Sequence, residues 1–248
     1  MFPIINIGPL SFPAPELILL LGLLLSSNLA DRKSREKGRK PEIPGKIIWT
    51  SFIAGLVGAK LSFIARNPGA VQDQWFSILT LNRTLMDPAG GIVIALAAGY
   101  LTASKNKVIS WSLLDDLVPF FAALLPALFL ANFASGSGFG MLTNLPWGIA
   151  MWGGSRHPVQ LYYFLCSLGV LTWIAIRSNP LNLKPGSHFT LFVFITSGYL
   201  TFFSAFQDPA GYLIGGFRIS QLVFWALFSF CAFLVFWKYH KGVSNASR

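Results

Sequence analysis

Charge is what this sequence has least of. Only 11% of its 248 residues are charged, and nine are acidic, against about a quarter charged in a soluble domain. Such a chain cannot keep an ordinary globular surface in water, so a soluble enzyme or binding module is excluded. Cysteines number two, Cys166 and Cys231, both inside apolar runs. With no CxxC pair and no ligand spacing, neither a structural metal nor a disulfide framework is expected. No internal repeat and no low-complexity linker interrupts the chain.

What the sequence has in quantity is apolar residues, 54% of the total, with 15% aromatic and a formal net charge of +10. The basic residues bunch in "DRKSREKGRKPEIPGK" and near the carboxyl end. That distribution belongs to loops flanking membrane spans and not to a nucleic-acid surface, so no nucleic-acid partner is expected. Spanning the hydrocarbon as a helix takes about 20 apolar residues. Seven segments meet the need: 15–30, 46–65, 89–104, 110–133, 158–176, 188–206 and 217–238. The opening "MFPIINIGPLSFPAPE" has no basic n-region, which predicts a retained first span and not a cleaved leader.

An odd number of spans puts the two ends on opposite sides. With the amino end outside, the outer stretches hold only Arg66, Arg83, Arg156 and Arg218, while the other basic residues, apart from Lys60 within a span, fall inside. The positive-inside rule therefore predicts an extracytoplasmic amino end and a cytoplasmic carboxyl end. The expected fold is an all-α polytopic membrane protein. It is a single seven-helix domain over 1–240, with outer-leaflet loops at 67–88 and 134–157 and a disordered cytoplasmic tail at 241–248. The first loop carries an amphipathic patch around Trp75, Phe76, Ile78 and Leu79, suited to the interface. The second is rich in Gly and Trp and runs into "SRHPVQLYY", which crowds Arg156, His157, Gln160 and Tyr162 at the mouth of an apolar run.

The stretch "NFASGSGFGMLTNLPWG" (132–148) followed by "RHPVQLY" (156–162) resembles prolipoprotein diacylglyceryl transferase. That family's signature runs Arg-Ile-Gly-Asn-Phe-Ile-Asn-Gly, then Leu-Pro-Trp-Gly, then Arg-His-Pro-Ser-Gln-Leu-Tyr-Glu. "IGPL" (7–10), "GAKL" (58–61), "AGG" (89–91), "DDLVP" (115–119) and "SQ" (220–221) agree in order, so the resemblance covers nearly the whole chain. It implies a multi-pass protein of the bacterial cytoplasmic membrane, without a cofactor, working in lipoprotein biosynthesis. The reaction it implies moves the diacylglyceryl group of phosphatidylglycerol to the lipobox cysteine thiol of a prolipoprotein, releasing glycerol phosphate. Such chemistry needs a group to assist thiol deprotonation and cationic partners for the leaving phosphate.

Several positions depart from that family pattern. Ala89 stands where the family has a histidine before Gly-Gly, and Phe129 stands for the arginine of Arg-Ile-Gly-Asn. Pro15 stands for a tyrosine and Tyr163 for a glutamate, and no arginine lies in "SAFQD" (204–208). The matching polar positions are Asn132, Gly136, Gly140, Arg156, His157, Gln160, Tyr162 and Gln221. These are expected to bind a phosphatidylglycerol-like phospholipid, with His157 and Arg156 the candidates for catalysis. Asn132, Gln160, Tyr162 and Gln221 are expected to converge on a cavity open to lipid, with Arg156 and His157 at its rim.

Each residue also has an ordinary role. Amides bond between helices, Asp115 favours a helix N-terminus, glycines shape loops, and Arg156 snorkels to head groups. Three readings follow from this. One is a divergent transferase using His157 and Arg156, aided by Arg83 or Arg218. Another is a non-catalytic relative that binds phospholipid, a prolipoprotein signal peptide or another membrane subunit. The third, a transporter or channel, lacks the repeat and the buried charges it would need. The losses at Ala89 and Phe129 predict weak or absent transferase activity.

Overall fold

The computed structural model describes residues 4–8, 10–38, 40, 42–69, 85–176, 184–208, 213–214 and 217–246. The patch around Trp75 and the side chain of Arg83 lie outside them. The described residues hold seven long helices: α1 (Ala14–Glu36), α2 (Glu42–Arg66), α3 (Pro88–Lys105), α4 (Trp111–Ser135), α5 (Val159–Ile176), α6 (Ser187–Ser204) and α7 (Ile219–Ala246). Each falls on one of the seven apolar segments read from the sequence. The fold is all-helical and the protein is a multi-pass membrane protein. Five of the helices, α1, α2, α4, α5 and the Ile219–Phe236 part of α7, are long and apolar enough to cross a membrane. Helices α3 and α6 have 18 residues each, with Gly, Ser and Thr diluting their apolar character.

The chain divides into two compact units, 1–29 with 114–248, and 30–113. In the second, α2 and α3 approach closely because small residues face each other. A Cβ added at Gly91 would lie 2.9 Å from the Ala59 side chain and 3.0 Å from the Gly55 carbonyl. The Thr50 and Thr102 hydroxyls bond across the pair at 3.1 Å. Close contact through small residues with interhelical hydroxyl bonds is how helices associate in lipid, where no hydrophobic drive separates protein from solvent. Asp87 starts α3. Its carboxylate accepts from Ala89 N–H at 3.1 Å and from the Ser62 hydroxyl at 2.6 Å, with Arg66 at 3.4 Å. Those bonds, the Ser62 hydroxyl first, hold the Asp87 carboxyl below its ordinary value.

In the first unit, Val118 and Ala122 of α4, Val170 of α5 and Phe192 of α6 form one buried apolar cluster. Phe129, Val159 and Tyr163 form another, against Leu200, Phe203 and Phe206. Pro158 precedes α5, where its missing N–H costs nothing, and its carbonyl accepts from Tyr162 N–H at 3.2 Å. Helix α6 opens after Gly186, which has φ 83° and no side chain to cap with. The cap comes from α4 instead. Buried Asp115 accepts from Gly186 N–H at 2.6 Å and from Phe189 N–H at 2.8 Å. It serves a helix N-terminus, though of α6 and not of its own helix.

The segment 134–157 carries a hairpin described below, and one sequence expectation changes. Helix α7 runs to Ala246, into the segment expected to be a disordered tail. Once a helix exists, each added residue gains a hydrogen bond without a new nucleation cost. Short antiparallel ribbons pair Ile4–Ile7 (β1) with Leu10–Pro13 (β2), and Leu213–Ile214 (β5) with Phe217–Arg218 (β6).

Candidate functional site

Between α4 and α5 the chain makes strands β3 (Ile149–Met151) and β4 (Gly154–Arg156). The turn joining them has φ 49° at Trp152 and 82° at Gly153, the positive pair of a hairpin turn. Glycine takes that conformation freely. Tryptophan does so at a cost of roughly 1–2 kcal/mol, and Trp152 remains 67% exposed at the tip.

Backbone bonds widen this ribbon. Thr143 N–H donates to Ser155 O, His157 N–H to Met141 O, and Gly140 N–H to His157 O, at 2.9–3.0 Å. On the far side, Met141 N–H donates to Phe206 O at 2.9 Å and Asp208 N–H to Phe139 O at 3.1 Å. The end of α6 is thereby tied to the glycine-rich segment. That path explains two glycines. Gly136 has φ 74°, while at Gly140 a Cβ would stand 2.5 Å from both the His157 Cβ and carbonyl and 2.8 Å from Phe206 O.

The side chains of this region form linked sets. Arg156 donates through Nη1 to Asp208 Oδ2 at 2.6 Å and to Gly140 O at 3.2 Å, and its guanidinium lies 4.8 Å from the Phe139 ring centroid. Both charged partners are largely covered, at 15% and 24% side-chain exposure, so this pair is not a screened surface contact. His157 Nδ1 lies 3.3 Å from the Tyr162 hydroxyl, which accepts from Trp147 Nε1 at 3.0 Å. Gln160, 2% exposed, donates through Nε2 to Ser137 O at 2.8 Å, while its Oε1 is buried with no partner.

Gln221 accepts from Arg218 N–H at 3.0 Å and donates to Ser204 O at 3.3 Å. The Arg218 guanidinium donates through Nη2 to the Gln207 carbonyl. Burial pushes this guanidinium below its ordinary value, against the opposing fields of Tyr163 and Asp208. So although 204–208 contains no arginine, an arginine side chain from further along the sequence rests on that segment.

The expected site residues thus sit in one stretch of the fold but not around one point. Arg156, His157, Gly140 and Tyr162 are joined directly. Gln160 bonds to the glycine-rich segment through Ser137, whose N–H in turn donates to Asn132 O at 3.0 Å. Gln221 is spent on backbone at the α6–α7 junction. The two positions expected to have lost chemistry differ in their surroundings, one packed among aromatic rings and one beside the Asp87 carboxylate. Phe129 is buried, its ring 4.9 Å from that of Tyr163, and Ala89 is exposed in the first turn of α3. Asp208, the partner of Arg156, is not among the residues that the sequence singles out. Its signal is its isolation, since it is the sole acidic residue after Asp116.

An all-helical membrane protein with a basic, hydrogen-bonded site on a glycine-rich ribbon defines the class. A family model described as prolipoprotein diacylglyceryl transferase matches residues 3–237, and the chain belongs to that family. It is 28% identical to the phosphatidylglycerol–prolipoprotein diacylglyceryl transferase of Prochlorococcus marinus (strain NATL1A), over 88% of this chain and 84% of the relative. The enzyme of the same name from Sinorhizobium medicae (strain WSM419) is 28% identical over 86% and 82%. That from Vibrio parahaemolyticus serotype O3:K6 is 24% identical over 97% and 91%.

Proposed function

We propose that this chain is a phospholipid-binding member of its family in the bacterial cytoplasmic membrane, with weak or absent diacylglyceryl transfer. The relatives are named for phosphatidylglycerol and prolipoprotein, and an anionic phospholipid is the ligand that the basic site suits. Lipid contacts are assigned to Asn132, Gly136, Gly140, Arg156, His157, Gln160, Tyr162 and Gln221. All seven helices span, with the amino end outside and the site at the outer leaflet. In this reading the chain holds lipid for a membrane complex or a signal peptide.

The observation that weighs most against transfer is the replacement of two ionisable groups of the family pattern, with Ala89 for a histidine and Phe129 for an arginine. In the reaction a thiol loses its proton to a base, the new sulfur–carbon bond forms, the carbon–oxygen bond to phosphate breaks, and glycerol phosphate leaves. Trp147 Nε1 can only donate, so the Tyr162 oxygen accepts from it, and His157 Nδ1 is engaged with the same oxygen at 3.3 Å, as donor or acceptor according to its tautomer. Arg156 is already matched by Asp208. A positioned base typically contributes about 10²–10⁴-fold, and a lost phosphate contact removes more.

The test is to supply the protein to cells depleted of their own transferase and follow lipidation of a model lipoprotein. No rescue is expected. Robust rescue, abolished by His157→Ala or Arg156→Ala, would overturn the reading and make those residues the active site.

A further inference from the structure

Two guanidinium groups face the ribbon region and only one has a counterion. Arg156 and Asp208 neutralise each other at 2.6 Å. Arg218 has the Gln207 carbonyl on Nη2, no carboxylate within ion-pair distance among the described residues, and an Nε that is buried and without a partner. Among the described residues, two positive side chains here share the field of one carboxylate, which contacts only Arg156 of the two. A partly buried guanidinium with an unused N–H is costly unless something supplies an acceptor.

The side chain is also held in place. Its backbone N–H donates to Gln221, Gln221 is anchored on Ser204 O, and Arg218 pairs with Leu213 in the β5–β6 ribbon. A planar donor group fixed at its root, with spare protons on one face, matches the oxygens of a phosphate and not a point charge.

We infer that Arg218 is the residue that recognises the phosphate of the bound anion, a statement that rests on the lipid-binding reading above. The anion is a phosphodiester or phosphomonoester, carried by a lipid head group or by free glycerol phosphate. Arg156, paired with Asp208, also holds the ribbon against the end of α6, and Arg218 supplies the specificity for a phosphate-bearing lipid over a neutral diacylglycerol.

The experiment uses the full-length protein in mild detergent and native mass spectrometry to compare capture of phosphatidylglycerol and diacylglycerol of the same chain length, which lacks the phosphate. The wild type should prefer phosphatidylglycerol. Arg218→Gln should weaken phosphatidylglycerol capture by roughly tenfold or more, the scale of one lost charge-assisted hydrogen bond, and leave diacylglycerol unchanged. Arg218→Lys, a point charge without the fork, should lose several-fold. Competition by glycerol phosphate separates the two sources. Dependence on Arg218 for lipid alone assigns the head group, and dependence for both assigns the phosphate itself; either supports the inference. Wild-type protein without a preference would sink the lipid-binding reading and this inference with it. A preference retained within twofold in Arg218→Gln would sink the role of Arg218 alone. If that variant does not fold, a wild-type preference within twofold in Arg218→Lys does the same.

Discussion

At Gly140 the chain leaves no room for a side chain. A methyl group there meets the His157 Cβ and carbonyl at 2.5 Å and the Phe206 carbonyl at 2.8 Å. Two of these neighbours are backbone atoms in hydrogen-bonded ribbon positions, which cannot rotate away. Gly140→Ala is therefore expected to destabilise the protein by about 1–3 kcal/mol, the usual range for overpacking. It should also loosen the Arg156–Asp208 pair, because Gly140 O and Phe139 O hold both partners. Thermal melting of the purified variant, with lipid capture measured alongside, checks this. A melting temperature and capture equal to wild type would show that the ribbon tolerates the methyl group. The two arginines differ in the same local terms, Arg156 matched by a carboxylate and Arg218 resting on a backbone carbonyl.

Among the elements, α6 depends most on a distant residue. Its own N-cap is a glycine, and the two N–H groups at its start are satisfied by Asp115, which lies 71 residues earlier than Gly186. Removing the carboxylate leaves those donors without an acceptor at a buried helix end. Asp115→Ala should cost about 2–4 kcal/mol, from roughly 1–3 for each unsatisfied buried group, while Asp115→Asn, keeping one oxygen acceptor, should cost less. A melting temperature for Asp115→Ala within a degree of wild type would refute the cap. The helices themselves were legible because apolar runs of membrane length leave few alternatives. The helix-terminus role of Asp115 was legible in kind, but its partner was not, since local sequence carries no record of a contact so far along the chain. Strands β3 and β4 were illegible for a different reason. "IAM" and "GSR" are too short to show a period of two, in a stretch legible only as rich in Gly and Trp. Arg156, His157 and Tyr162 were found by their crowding and Arg218 as one of the few outer basic residues, whereas Asp208 entered the site by folding.

For the whole molecule, the basic residues favour an amino end outside and a carboxyl end inside. A reporter fused after Arg248 should behave as cytoplasmic, and one placed in the 134–157 segment as extracytoplasmic. An extracytoplasmic signal at the carboxyl end would overturn the proposed seven-span topology. The Arg156–Asp208 pair adds a consequence in time. The two residues are 52 positions apart, with α5 and α6 between them. A ribosome releases Arg156 well before Asp208 exists, so the guanidinium is without its carboxylate until α5 and α6 have been made. The site is therefore closed late in synthesis, by the last acidic residue the chain contains.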